Sequence, residues 1–141
     1  MREILFRGKE IETGEWVEGA YYHQTEFYGD KTWDADNPVD EHYIITSKDE
    51  LEDNMMECYK VIPETVGQYT GLTDKNGTKI FEGDIVKLYL IDDIETGVIR
   101  YSENACRFMF YKNNIVGYGF DNTCIFKIIG NIHDNPEILE G

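Results

Sequence analysis

The sequence predicts a mainly β protein in which short antiparallel strands form a partly open barrel or sandwich, with one short helix near residues 48–58. Composition carries the first part of this reading. Val, Ile, Thr, Tyr, Phe and Trp supply 52 of the 141 residues, whereas Ala occurs three times and Leu six, so strand formers far outnumber the best helix formers. The second observation is punctuation: glycines, often beside Asn or Asp, separate short apolar runs as the turns of antiparallel sheets do.

The elements follow in order. Glu3 to Arg7 and Glu15 to His23 read as two strands joined through Thr13-Gly14, whose glycine supplies the positive φ of a tight turn. Thr25 to Asp40 is broken at Gly29 and Pro38 and reads as a long connection with a short strand around Glu26-Phe27-Tyr28. His42 to Thr46 is another strand, running into Ser47-Lys48-Asp49-Glu50, a capping-box spacing. Leu51, Met55 and Tyr59 then recur every fourth residue and define the helix, which Val61-Ile62-Pro63 ends because the residue before a proline is pushed to extended backbone. Beyond Val66, Asp74-Lys75-Asn76-Gly77 carries the Asn-Gly pair of a type I′ hairpin turn, and Gly83-Asp84 introduces a strand from Ile85 to Ile91. Thr96-Gly97 opens Val98 to Tyr101, and Cys106 to Tyr111 places Cys106, Phe108 and Phe110 on one face. Cys124 to Ile129 is the last strand, and Pro136 to Leu139 a closing helical turn. A Gly-Asp turn feeding a strand in Ile80 to Lys87 gives the carboxy-terminal portion an SH3-like character.

Length and the absence of any low-complexity linker predict a single domain over 1–141, with 1–65 and 66–141 as candidate lobes. Lys and Arg number 13 against 28 Asp and Glu, a net charge of −15. Residues 1–70 hold 17 acids against 6 bases, and Asp34, Asp36, Asp40, Glu41, Asp49, Glu50, Glu52 and Asp53 crowd one stretch. Such a chain lacks the cationic surface that supplies most non-specific affinity for nucleic acid. The start, MREILFRGKE, has no signal-like apolar run, and nothing approaches the roughly 18 apolar residues of a membrane span. Cys58, Cys106 and Cys124 are odd in number and widely spaced, which fits a reducing cytoplasm, with Cys106 and Cys124 read as small buried hydrophobes.

Chemistry-bearing motifs are scarce. Ser47 and Ser102 are the only serines and neither lies in G-x-S-x-G; no phosphate-binding glycine loop occurs. Asp34-x-Asp36 fails as a calcium loop because Pro38 and Val39 occupy its fifth and sixth positions. His23, His42 and His133 have no zinc spacing and read as surface or turn residues, a composite site of His23, His42 and a loop acid being the alternative. His133-Asp134 between Asn131 and Asn135 reads as a self-bonded turn. Arg100, Arg107, Lys87, Lys112 and Lys127 among Tyr89, Tyr101, Phe108 and Tyr111 are the only basic texture. No catalytic residue, metal ligand set or cofactor motif is assigned.

The run from Val61 to Leu72, continuing through Asp74-Lys75-Asn76-Gly77 and Ile80-Phe81-Glu82-Gly83-Asp84-Ile85-Val86, resembles the central signature of the YopX-like family. Phe6-Arg7-Gly8-Lys9, Thr13 to Gly19 and Ile129 to Glu137 are similar to its terminal segments, leaving gaps at Gln24 to Asp40 and Thr46 to Glu57 and a looser match from Leu88 to Thr123. The resemblance implies a small, mainly β protein of phage or prophage origin acting in the bacterial cytoplasm, and it implies no activity. The leading expectation is a non-enzymatic module binding a host or phage protein through Trp33, Asp34, Asp36 and Asp40, with self-association as an option. The alternatives are an acidic nucleic-acid mimic, a small-barrel nucleic-acid binder, and an enzyme with a His/carboxylate site.

Overall fold

The structure, a computed structural model, describes residues 2–25, 40–47, 56–113 and 116–140. Among the described residues it is mainly β, 60% strand and 7% helical, with antiparallel sheets that do not close into a barrel. Two compact units are present, one of Leu5–Val66 and one of Met1–Ile4 with Gly67–Gly141.

The first unit orders its strands β4-β3-β2-β1, with β1 at Phe6–Lys9, β2 at Trp16–Gln24, β3 at Glu41–Ser47 and β4 at Met56–Lys60. Gly14, at φ 71°, turns β1 into β2 as expected. Side chains alternate across the sheet, so register decides what meets what. Tyr21 lies opposite Ile44 and His23 opposite His42, while Tyr22 lies opposite Tyr43 and Ile45 opposite Cys58. The first set shares a face with Phe6, whose ring centroid is 5.5 Å from that of Tyr21, and with the fully buried Ile44. Gly19 must stay bare, because a Cβ there would come within 2.1 Å of the Ile45 carbonyl oxygen.

The second unit begins with β5, Gly67–Thr73, and β6, Lys79–Phe81, which pair with each other. A five-stranded sheet follows in the order β10-β9-β8-β7-β11, comprising β7 Asp84–Tyr89, β8 Ile94–Ser102, β9 Arg107–Lys112, β10 Val116–Gly119 and β11 Ile125–Asn131. Ile80, Val86, Leu88, Ile99, Phe110 and Phe126 make its core. Phe126 lies edge-on to Phe120 at 5.3 Å and tilted to Phe110 at 6.2 Å, geometries that suit aromatic quadrupoles. Two carboxylates are buried beside this core and both serve turns. Asp84 accepts the Phe81 N–H at 2.8 Å, and Asp74 accepts the N–H groups of Asn76, Thr78 and Ile128.

Three local expectations are corrected. The helix near 48–58 does not extend over 56–58: Met56–Lys60 pairs with β3 from Ser47↔Met56 to Tyr43↔Lys60. A narrow i, i+4 stripe buries little apolar area alone, whereas pairing satisfies the backbone and half-buries Glu57 and Tyr59 in alternation. Residues 48–55, with Leu51 and Met55, lie outside the described residues. The Asn-Gly pair does not form a type I′ turn, because only Gly77 takes a positive φ, at 81°, while Asn76 is held by the Asp74 side chain. Cys106 is exposed at φ 54° in the turn before β9, so only Phe108 and Phe110 share the inner face. Among the described residues the helical content is two 3₁₀ turns, Pro63–Thr65 and Pro136–Glu140, the second where a closing helical turn is expected.

Candidate functional site

Trp33, Asp34 and Asp36, named in the sequence as partner-binding candidates, lie outside the described residues. Asp40 lies immediately before β3 and its carboxylate is committed to two histidines. One oxygen, Oδ1, stands 2.5 Å from His23 Nε2 and 3.2 Å from His42 Nε2. The imidazoles stack with centroids 3.9 Å apart and planes inclined by 13°, a direct result of His23 and His42 facing each other in the β2–β3 ladder. On the far side of the His42 ring, Nδ1 is hydrogen-bonded to the Tyr21 hydroxyl. The structure thus assembles the composite of His23, His42 and a loop acid in place of unrelated surface histidines.

The electrostatics are mutually consistent. The His23 hydrogen bond, with further help from His42, holds the Asp40 carboxyl below its ordinary value, against a smaller opposing effect of desolvation. Burial raises the Tyr21 hydroxyl, and the Asp40 charge raises it further, so Tyr21 stays protonated as a hydrogen-bond partner for His42.

The opposite face of the same strands carries an open groove of about 380 Å³ lined by Tyr22, Gln24, Tyr43, Ile45 and Cys58. Beside it, Glu41 is held by two neighbours. The Tyr43 hydroxyl donates to Glu41, and Lys60 Nζ lies 3.2 Å from the other Glu41 oxygen. The Tyr43 hydrogen bond, then Lys60, lowers the Glu41 carboxyl, and the same hydrogen bond raises the Tyr43 hydroxyl. Sequence reasoning missed these residues. Their signal was apolar alternation on both faces of the predicted strands, Tyr21 against Tyr22 on β2 and Ile44 against Ile45 on β3.

Two other groupings singled out in the sequence lie among the described residues. Asn131 Oδ1 accepts the His133 and Asp134 N–H groups at 3.0 and 2.9 Å, so that cluster folds its own turn. The basic texture divides between faces: Lys87 pairs opposite Lys127 on one, whereas Lys112 bonds Glu95 at 2.9 Å on the other beside Leu88. Among the described residues no helix is long and apolar enough to cross a membrane.

Open antiparallel sheets bearing a histidine–carboxylate cluster and an aromatic groove on opposite faces define a small two-unit β protein. The family model for YopX protein matches residues 5–140, nearly the whole chain, and the chain belongs to the YopX family. It is also similar to a solved structure, the crystal structure of protein EF1440 from Enterococcus faecalis, at 23% identity and a TM-score of 0.50, covering 99% of each chain. That likeness is one of fold. No curated protein matches the chain.

Proposed function

We propose that this chain is a non-enzymatic, phage- or prophage-encoded binding module of the bacterial cytoplasm that receives a basic, apolar-tipped segment of a partner protein in the groove on β2, β3 and β4. The observation that carries this is the groove itself, where paired aromatics and Ile45 stand open beside the Glu41 carboxylate. Tyr22 is 47% exposed on a strand, burial that folding leaves undone and binding would complete. Charge complementarity selects the occupant: residues 1–70 carry 17 acids against 6 bases, so a cationic segment is drawn in and nucleic acid repelled.

The test compares the wild-type chain with a Tyr22→Ala/Tyr43→Ala variant, shown by circular dichroism to fold, as baits in bacterial lysate at low and high salt. The expected result is a basic protein captured by the wild type, released at high salt and lost from the variant. Equal capture by both baits, no capture at either salt, self-association through this face in light scattering, or a gel shift with DNA or RNA would each overturn the proposal.

A further inference from the structure

We propose that His23, His42 and Asp40 form a site for a divalent transition-metal ion of the zinc class, with both Nε2 atoms and Asp40 Oδ1 as ligands and a fourth position open. It lies on the face opposite the groove and stands independently of the binding proposal.

Donor type sets the class of ion. Two imidazoles and one carboxylate suit zinc and its borderline-soft neighbours, whereas calcium and magnesium take oxygen ligands. Placement follows from the ladder: His23 and His42 are direct cross-strand partners, so both rings project from one face, and Asp40 enters β3 two residues before His42. All three ligand atoms lie within 4.8 Å of one another. Metal–ligand distances of about 2.0–2.2 Å in a tetrahedron set ligand atoms about 3.3 Å apart. The His42 Nε2 to Asp40 Oδ1 separation of 3.2 Å already meets that spacing, whereas the His23 separation of 2.5 Å must open by about 0.8 Å and the His23 ring must turn out of its 3.9 Å stack on His42, so that both in-plane Nε2 lone pairs meet at the ion. That movement falls on the two more accessible members, since the side chains of His23 and Asp40 are 41% and 67% exposed, against 12% for His42. Two neutral imidazoles and one carboxylate leave a bound dication with a single net positive charge, which the acidic half of the chain accommodates.

The support behind the ligands is also that of a metal site. Ligating histidines characteristically bond a neighbour through the nitrogen that does not hold the ion, which fixes tautomer and ring orientation. Here His42 Nδ1 is bonded to the Tyr21 hydroxyl, and with an ion bound, Nδ1–H donation to that oxygen would leave the Nε2 lone pair for the metal. Tyr21 is itself held by the Phe6 ring at 5.5 Å. Tyr21 is therefore a positioning residue.

Zinc chloride titrated into the full chain by calorimetry, with cobalt(II) absorption reporting coordination geometry, tests the site. One ion per chain and a tetrahedral cobalt spectrum are expected, with affinity falling at least about tenfold in each of His23→Gln, His42→Gln and Asp40→Asn. Tyr21→Phe is expected to weaken binding about 10- to 100-fold while keeping the cobalt spectrum. Circular dichroism of each variant separates loss of ligand from loss of fold. No saturation up to about 1 mM ion, or undiminished binding in folded His23→Gln and His42→Gln variants, would overturn the site. Undiminished binding in Tyr21→Phe would overturn the positioning role.

Discussion

Asp74 is a carboxylate only 7% exposed, and its removal gives a measurable magnitude. Oδ1 accepts the N–H groups of Asn76 and Thr78 at 2.9 and 3.0 Å, and Oδ2 accepts that of Ile128 at 3.1 Å, so one side chain both closes the β5–β6 loop and ties it to β11. Asp74→Ala strands these donors. The two loop N–H groups can turn to water, at about 0.5–1.5 kcal/mol each, whereas the Ile128 N–H loses a charged acceptor beside the core at about 1–3 kcal/mol. The expected loss is about 3–4 kcal/mol, read as a lower urea midpoint at unchanged slope. Asp74→Asn keeps one acceptor oxygen but turns an NH₂ toward the Ile128 N–H, so about 1–3 kcal/mol is expected. Burial by itself would raise the Asp74 carboxyl, but the three backbone donors together outweigh it and hold the group below its ordinary 3.8. For a carboxyl lowered in the folded state, the stabilisation is present above the unfolded value and fades as pH falls through the folded one. The gap between wild type and Asp74→Asn should therefore be constant from neutral pH to about 4 and shrink below it. A loss under about 1 kcal/mol in Asp74→Ala, or a gap that widens on acidification, would refute the reasoning.

Gly97→Ala places a Cβ 2.6 Å from Phe110 Cε2 and Cζ and from the Tyr111 carbonyl oxygen, so β8 must shift; about 1–3 kcal/mol of destabilisation is expected in thermal melts, with Gly14→Ala unsuitable as a control because its φ is positive. Burial raises the Glu82 carboxyl and nearby Arg100 offsets this in part, so the charged form is penalised at neutral pH. Stability from the neutral form is complete below the ordinary 4.5 and is lost as pH rises, hence Glu82→Gln should be more stable than wild type at pH 7 and equal to it below about 4.5 by urea titration.

Much of the fold is legible because its signals are local. The alternation in β2, β3, β8 and β9, the positive-φ Gly14 and Gly83, and the proline opening the last 3₁₀ turn can all be read from neighbouring residues. The errors fall where the deciding partner is distant in sequence. Met56–Lys60 is a strand because β3 is beside it, and the Asn-Gly pair yields its turn type to an Asp74 side chain that also reaches Ile128. Neither the groove nor the histidine cluster had a local motif. Both depend on the register of β2 against β3, which the residues between those strands do not spell out. Of the partner-binding candidates, Asp40 is placed among the described residues, but facing the histidines.

Stability gives a reason to regard that pairing as more than a by-product of the fold. Ile44, Val61 and Phe126, at most 1% exposed, are fixed by packing, and substituting them disturbs the core whatever the protein does. His23 and Tyr22 are different: both are exposed, at 41% and 47%, on a strand whose pairing is made by backbone groups, and exposed strand positions tolerate many residues at small cost. Folding alone does not call for two imidazoles directly opposite one another with a single carboxylate oxygen between their Nε2 atoms. Tyr21 joins the two demands. Its ring packs on Phe6 within the sheet's inner face while its hydroxyl holds His42, so rigidity from the folded unit is transmitted to the one histidine that is already mostly buried. The division of labour that follows, with His42 and Tyr21 held and the more exposed His23 and Asp40 left to spread apart, is what the proposed metal site requires of these four residues.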